Sequence, residues 1–162
     1  MSTLVLELRP GEMMIVNGAP IRFRTKTRLE LTARARFLFG KQIMAPERAD
    51  SPARRIYFAL QSAYIGEEAE RVRGLAAATE LVREFKESTT SALARDILDR
   101  AMAAAAADNC YQALKLARRI VRHEDAVLGR TSEFADRREA ADGAALSSTP
   151  AAAPPLTHID AA

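Results

Sequence analysis

Ile21-Arg22-Phe23-Arg24-Thr25-Lys26-Thr27-Arg28-Leu29-Glu30-Leu31 is the stretch whose reading decides the first third of the chain. Apolar or Thr residues alternate with Arg or Lys. In an extended strand, successive side chains face opposite sides. Ile21, Phe23, Thr25, Thr27, Leu29 and Leu31 are expected on one face, and Arg22, Arg24, Lys26 and Arg28 on the other. Those four cations form a row with no carboxylate before Glu30, and Arg34 and Arg36 extend it. A face that serves solubility alone more often mixes signs. Next-but-one side chains on a strand stand about 6.6–7 Å apart, a spacing that suits phosphates along an extended single strand. The row therefore points to a polyanion, with RNA the first candidate. The plainer alternative is a half-solvated strand whose charges discourage edge pairing.

The flanking residues extend the β reading. Leu4, Leu6 and Leu8 alternate with Val5, Glu7 and Arg9, and Pro10-Gly11 signals a turn. Met13 to Val16 leads into Asn17-Gly18, a hairpin signal because a type I′ turn needs positive φ at both central residues. Pro20 suits an edge strand, where a missing donor is tolerated. Arg36 to Phe39 and Gln42 to Met44 read as a further strand, or a pair broken at Gly40.

The character then changes. Ser51-Pro52 offers an N-cap and a pre-set first helical φ. Four helices are expected: to Ile65 with Ile56, Tyr57, Leu60, Ala63 and Tyr64 inward; over 67–87 with Val72, Leu75, Ala76, Leu81, Val82 and Phe85 inward; over 92–107; and from Cys110 to Leu128, stopped by Gly129. Gly74 is unfavourable in a helix interior. Beyond Gly129 large apolar residues are sparse, and a disordered tail rich in Ala, Pro and Ser is expected. The fold class is thus α+β. Residues 1–48 form a small antiparallel sheet or sandwich, 51–129 a helical region packed on or beside it, and 130–162 the tail.

Composition narrows the chemistry. Aromatics make up 6% and Trp is absent, so the core rests on aliphatic residues. Residues 1–55 hold eleven Lys and Arg against five Asp and Glu, while the remainder carries an acidic surplus. A basic first half suits a polyanion partner. One Cys and two His exclude a Cys/His zinc pattern. No Gly-rich phosphate loop or G-x-S-x-G motif is present, so neither an enzyme nor a cofactor is expected. His123, beside Glu124 and Asp125, reads as a surface helix residue. Glu67 and Glu68 suit a helix start, where they complement the macrodipole. The N-terminus lacks a charged-then-apolar leader pattern, and no apolar run is long enough to span a bilayer. A cytoplasmic protein without membrane contact is expected.

A second basic set lies on the last helix. Lys115, Arg118, Arg119 and Arg122 share one face, and Leu114, Leu116, Ala117, Ile120 and Val121 take the opposite arc. That face reads as solvated, or as a surface for an acidic protein partner.

Several blocks together resemble the FlbT family of flagellar biosynthesis regulators. They are Leu8-Arg9-Pro10-Gly11-Glu12, Val16-Asn17-Gly18-Ala19, Lys41-Gln42-Ile43-Met44, Ser51-Pro52-Ala53-Arg54-Arg55-Ile56-Tyr57-Phe58, Tyr111-Gln112-Ala113-Leu114, Glu124-Asp125 and Leu128-Gly129. The resemblance implies a post-transcriptional repressor that associates with the 5′ untranslated leader of flagellin mRNA and promotes its decay. It also implies FlaF and flagellin as candidate protein partners, and a homo-oligomer is a further candidate. The family brings no RNA-contact motif, so Arg22, Arg24, Lys26, Arg28, Arg34 and Arg36 are proposed on charge and strand geometry alone. A protein-interaction or chaperone-like module for flagellin or FlaF is the alternative.

Overall fold

The computed structural model describes residues 3–131. Five strands come first: β1 (Leu4–Leu8), β2 (Met13–Val16), β3 (Ala19–Arg22), β4 (Thr27–Leu31) and β5 (Phe37–Phe39). Asn17 (φ 48°) and Gly18 (φ 88°) close the β2–β3 hairpin with positive φ at both central positions. β1 pairs antiparallel with β4, and the register never slips. Leu8 faces Thr27 and Met13 faces Arg22, so the residue numbers of every pair in both ladders add to 35. Between the ladders, Phe23 N donates to Glu12 O (3.0 Å) and Gly11 N donates to Phe23 O (2.6 Å). Residues 4–31 thus make one long hairpin, bent in its middle.

The bend corrects the expected unbroken strand over 21–31. Pro10 has no amide to donate and Gly11 takes φ 84°, so the ladder cannot continue opposite 24–26. The chain breaks at Phe23–Lys26 because its partner strand does. Arg22 therefore ends β3, Arg24 and Lys26 lie in the bend, and Arg28 sits in β4.

The bend also makes the sandwich. β5 joins β2, with Met14 opposite Phe39 and Val16 opposite Phe37, in the order β3-β2-β5. Leu6, Leu8, Met14 and Phe39 are buried between the two halves, ringed by Leu4, Val16, Phe23, Leu29, Leu31 and Phe37. On the opposite face, Leu38 and the half-buried Ile15 join the helical core. Ile21 departs from expectation: it lies on the edge strand and remains 41% exposed. Pro20 occupies that same edge strand, as its missing donor requires.

Gln42 to Met44 is not a strand. A 3-10 turn over Gly40–Gln42 follows β5, and side chains satisfy the backbone there. The Gln61 amide accepts from Met44 N (2.8 Å) and donates to Met44 O (2.9 Å). Tyr57 Oη donates to Gln42 O (2.6 Å), and Gln42 Oε1 accepts from Phe39 N (3.2 Å). These bonds tie the sheet to the first helix.

The helices are α1 (Pro52–Ile65), α2 (Glu68–Ser88), α3 (Ala92–Ala106) and α4 (Cys110–Leu128). Their ends follow the capping signals. Ser51 Oγ accepts from Arg54 N (3.3 Å), Ser91 Oγ from Ala94 N (3.1 Å) and Asn109 Oδ1 from Gln112 N (3.3 Å), and Gly129 turns left-handed after α4 (φ 65°). α1 is the central helix, packed on α2 and α4, and α3 packs on α4. The inward stripe of α2 holds Leu75, Leu81, Val82 and Phe85 as expected, but not Val72 or Ala76. Gly74, Ala78 and Val82 are buried, whereas Val72 is 67% exposed. A Cβ at Gly74 would stand 2.7 Å from both Ala59 O and Ala63 N. The helices approach so closely there that only glycine fits, which explains a residue that costs helix propensity. Beyond residue 131, the expected tail lies outside the described residues.

Candidate nucleic-acid interface

The bend puts cations on the surface. Arg22, Arg24, Lys26 and Arg28 are all exposed. Among the described residues, none of them forms an ion pair; Arg22 reaches only the Met13 sulfur, at 3.8 Å. Several cations of the helical half do have carboxylate partners. Arg83 pairs with Glu87 (2.7 Å) and Glu80 (3.2 Å), Lys86 with Asp99, Arg100 with Asp96 (3.9 Å), Arg71 with Asp108 (3.8 Å) and Arg130 with Asp50 (3.7 Å). Unpaired like charges within a seven-residue segment raise the local positive potential, which attracts a polyanion.

The six candidate residues are not all brought together. Arg28 lies opposite Glu7 across the β1–β4 ladder, so its face mixes signs. Arg34 is exposed in the connection to β5. Arg36 is half-buried and turned toward the helices. Its backbone clasps the hairpin tip, with Arg36 N donating to Asn17 Oδ1 (3.0 Å) and Asn17 N donating to Arg36 O (2.8 Å). Its charge is felt instead at Cys110, beside Arg71 and Asp108. The surface set is therefore Arg22, Arg24, Lys26 and Arg28, with Arg34 on the following loop. No aromatic side chain of the described residues is exposed; Phe23, Phe37 and Phe39 turn into the sandwich. The surface lacks stacking platforms and suits phosphates better than bases.

The basic row on α4 is dismantled by the fold. Arg118, expected on an outer face, is 4% exposed. α4 packs against both α1 and α3, so more of its circumference is covered than a one-sided amphipathic helix would show. Lys115 is half-buried with its Nζ 5.2 Å from the Tyr111 ring centroid, Arg122 is half-buried, and Arg119 alone of the four is exposed. Leu114, Leu116, Ala117, Ile120 and Val121 are buried as expected.

The same flank of α4 holds a polar clamp that the spacing did not reveal. Asp125 is 1% exposed and its Oδ1 stands 2.8 Å from Arg54 Nη2, itself buried. Glu124 accepts from Ser51 Oγ and from Ala53 N (3.3 Å). Its carboxylate thus sits on the N-terminus of α1, where free amides and the macrodipole favour negative charge. Glu124-Asp125 and Ser51-Pro52-Ala53-Arg54 form one structural unit that joins the end of α4 to the start of α1.

No group of three His, Cys, Asp or Glu could hold a metal among the described residues. Burial, reinforced by Asp108, pushes the Cys110 thiol up, which disfavours the reactive thiolate. His123 is exposed, as expected. Among the described residues no helix is long and apolar enough to cross a membrane.

The fold and its surface define an α+β protein that presents a bent hairpin with a cluster of exposed cations on a helical base. The chain belongs to the FlbT family of flagellar proteins, whose family model matches residues 4–128. It is similar to a probable flagellum biosynthesis repressor protein FlbT of a Caulobacter strain, with 33% identity over 80% of this chain and 98% of the relative. A Mesorhizobium japonicum relative of the same name is 29% identical over 79% of this chain and 86% of its own. A Chelativorans relative is 36% identical over 46% of this chain, a match that spans about half (52%) of that relative. No solved structure matches the chain. These relatives support a regulatory role in flagellar synthesis.

Proposed function

We propose that the protein represses flagellin synthesis in the cytoplasm by binding the 5′ untranslated leader of flagellin mRNA and promoting its decay. The observation that carries this reading is the cluster of exposed cations at the bend. Arg22, Arg24 and Lys26 are exposed there without an ion-pair partner among the described residues, and the exposed Arg28 and Arg34 follow in β4 and the next loop. Phosphate contacts supply affinity and position, and base contacts supply sequence choice. Without aromatic platforms, the hairpin contributes affinity, and selection of the leader falls to RNA shape or to a second protein. The reading assigns decay to altered translation of the bound transcript or to a recruited ribonuclease.

The test is leader binding by purified protein against added salt. Neutralising about four phosphates on single-stranded RNA gives a log–log slope of about −3. Arg24→Glu with Lys26→Glu reverses two charges outside both ladders, so it abolishes binding while leaving the fold intact. A slope near zero, or unchanged affinity in the double variant, contradicts the proposal.

A second reading, a protein-interaction module for FlaF or flagellin, is favoured by one feature. A groove of about 580 Å³ between the hairpin tip, α1 and α2 has an apolar floor of Ile15, Phe58 and Leu81, with Arg55 and Arg73 among its lining residues. Retention of FlaF or flagellin after ribonuclease treatment, with no RNA cross-linked to the protein, would favour this reading.

A further inference from the structure

Among the described residues the outer edge of β4 is unpaired: β1 and β4 form a two-stranded sheet, and no other described strand is hydrogen-bonded to β4. A two-stranded ribbon is marginal alone, and an open edge is a template for another strand. Three other edges in the sandwich are less suited to a partner. β3 carries Pro20, which cannot donate to a ladder, and β5 is three residues long. β1 set antiparallel against its own copy would place Val5 opposite Glu7, a pairing with no gain.

β4 differs because its sequence is complementary to itself. Laid antiparallel on a second copy with Leu29 at the two-fold axis, Thr27-Arg28-Leu29-Glu30-Leu31 places Arg28 opposite the second copy's Glu30, and Glu30 opposite its Arg28. Leu29 meets Leu29, and Thr27 meets Leu31. Side-chain parity is preserved, so both apolar faces fall on the same side of the joined sheet. The charges then alternate across it. Glu7 already faces Arg28 within the chain, so the order Glu7, Arg28 and the second copy's Glu30 runs as a continuous row of opposite signs, and symmetry repeats it. The half-burial of Leu4, Leu29 and Leu31 fits an apolar face that one ribbon covers incompletely.

We propose that two copies of this chain pair through β4 to make a four-stranded sheet in the order β1-β4-β4-β1, with Arg28 and Glu30 specifying the register. An isologous contact of this kind closes on itself and does not propagate. The pairing engages Arg28, so in the dimer Arg22, Arg24, Lys26 and Arg34 remain for the leader.

Sedimentation velocity on the full chain tests it, with Arg28→Glu and Glu30→Arg variants run singly and mixed. Wild-type protein dimerises. Each variant places like charges opposite each other at two symmetric positions and self-associates at least about tenfold more weakly. Mixed one to one, the variants recover dimer, because each then meets its opposite charge. Glu30 faces Val5 within its own chain, so Glu30→Arg keeps the fold and remains decisive even if Arg28→Glu, which faces Glu7, does not fold. A wild-type chain that is monomeric at millimolar concentration, or a dimer that Glu30→Arg leaves unchanged, overturns the proposal.

Discussion

Asp125→Ala tests the buried clamp between α4 and α1. The wild-type carboxylate is 1% exposed and 2.8 Å from the buried Arg54 guanidinium. The variant leaves that guanidinium inside the protein without its counter-charge. Removing one member of a buried ion pair costs about 3–5 kcal/mol, because the remaining charge keeps its desolvation penalty. That is a large share of the total stability of a domain, typically about 5–15 kcal/mol. Urea titration followed by circular dichroism should show the midpoint falling with the slope unchanged. In a chain of this size the melting temperature should drop by about 10 °C or more. Replacing both partners, Arg54→Met with Asp125→Leu, removes the charge along with its counter-charge and should return stability to within about 1 kcal/mol of wild type or above it. A loss below about 1 kcal/mol in Asp125→Ala would refute the reasoning, because it would mean that Arg54 reaches water or another carboxylate.

Two further perturbations probe the scaffold by the same titration. Gly74→Ala gains helix propensity of about 1 kcal/mol, yet its Cβ meets the α1 backbone at 2.7 Å. Net destabilisation of about 1–3 kcal/mol is expected, and a stabilised variant would contradict the close crossing. Glu124→Gln keeps the shape but removes the anion from the N-terminus of α1, and should cost about 1–2 kcal/mol; an unchanged midpoint would exclude a capping role.

What could be read in advance depended on how local each signal was. The hairpin turn at Asn17-Gly18 and the ends of all four helices are set by neighbouring residues, and the structure bears them out. The break at Arg24–Lys26 is not local. Residues 21–31 alternate without interruption, and the strand stops where the facing chain turns at Pro10, which has no amide to donate, and Gly11, at φ 84°. Helical periodicity placed Leu114 to Val121 inward but could not say that a second helix would also cover Arg118. Gly74 and Ala78, four apart, face α1 where Ala59 and Ala63 are also four apart. That small-residue pairing is visible in the sequence, but hydrophobicity alone picks out Leu75, Leu81, Val82 and Phe85 correctly, adds the exposed Val72 and Ala76, and passes over Gly74 and Ala78. Glu124 and Asp125 look like solvent-facing charges beside His123. Their partners lie some seventy residues earlier, at Ser51 and Arg54, so only the fold reveals the clamp.

The central claim is that the bent hairpin binds the flagellin leader by its phosphates. Equilibrium binding of that leader, measured across salt concentration for wild type and for Arg24→Glu/Lys26→Glu, tests it most directly. The account predicts a wild-type slope of about −3 and no measurable binding by the folded variant. Salt-independent binding, or equal affinity of the two proteins, would contradict it.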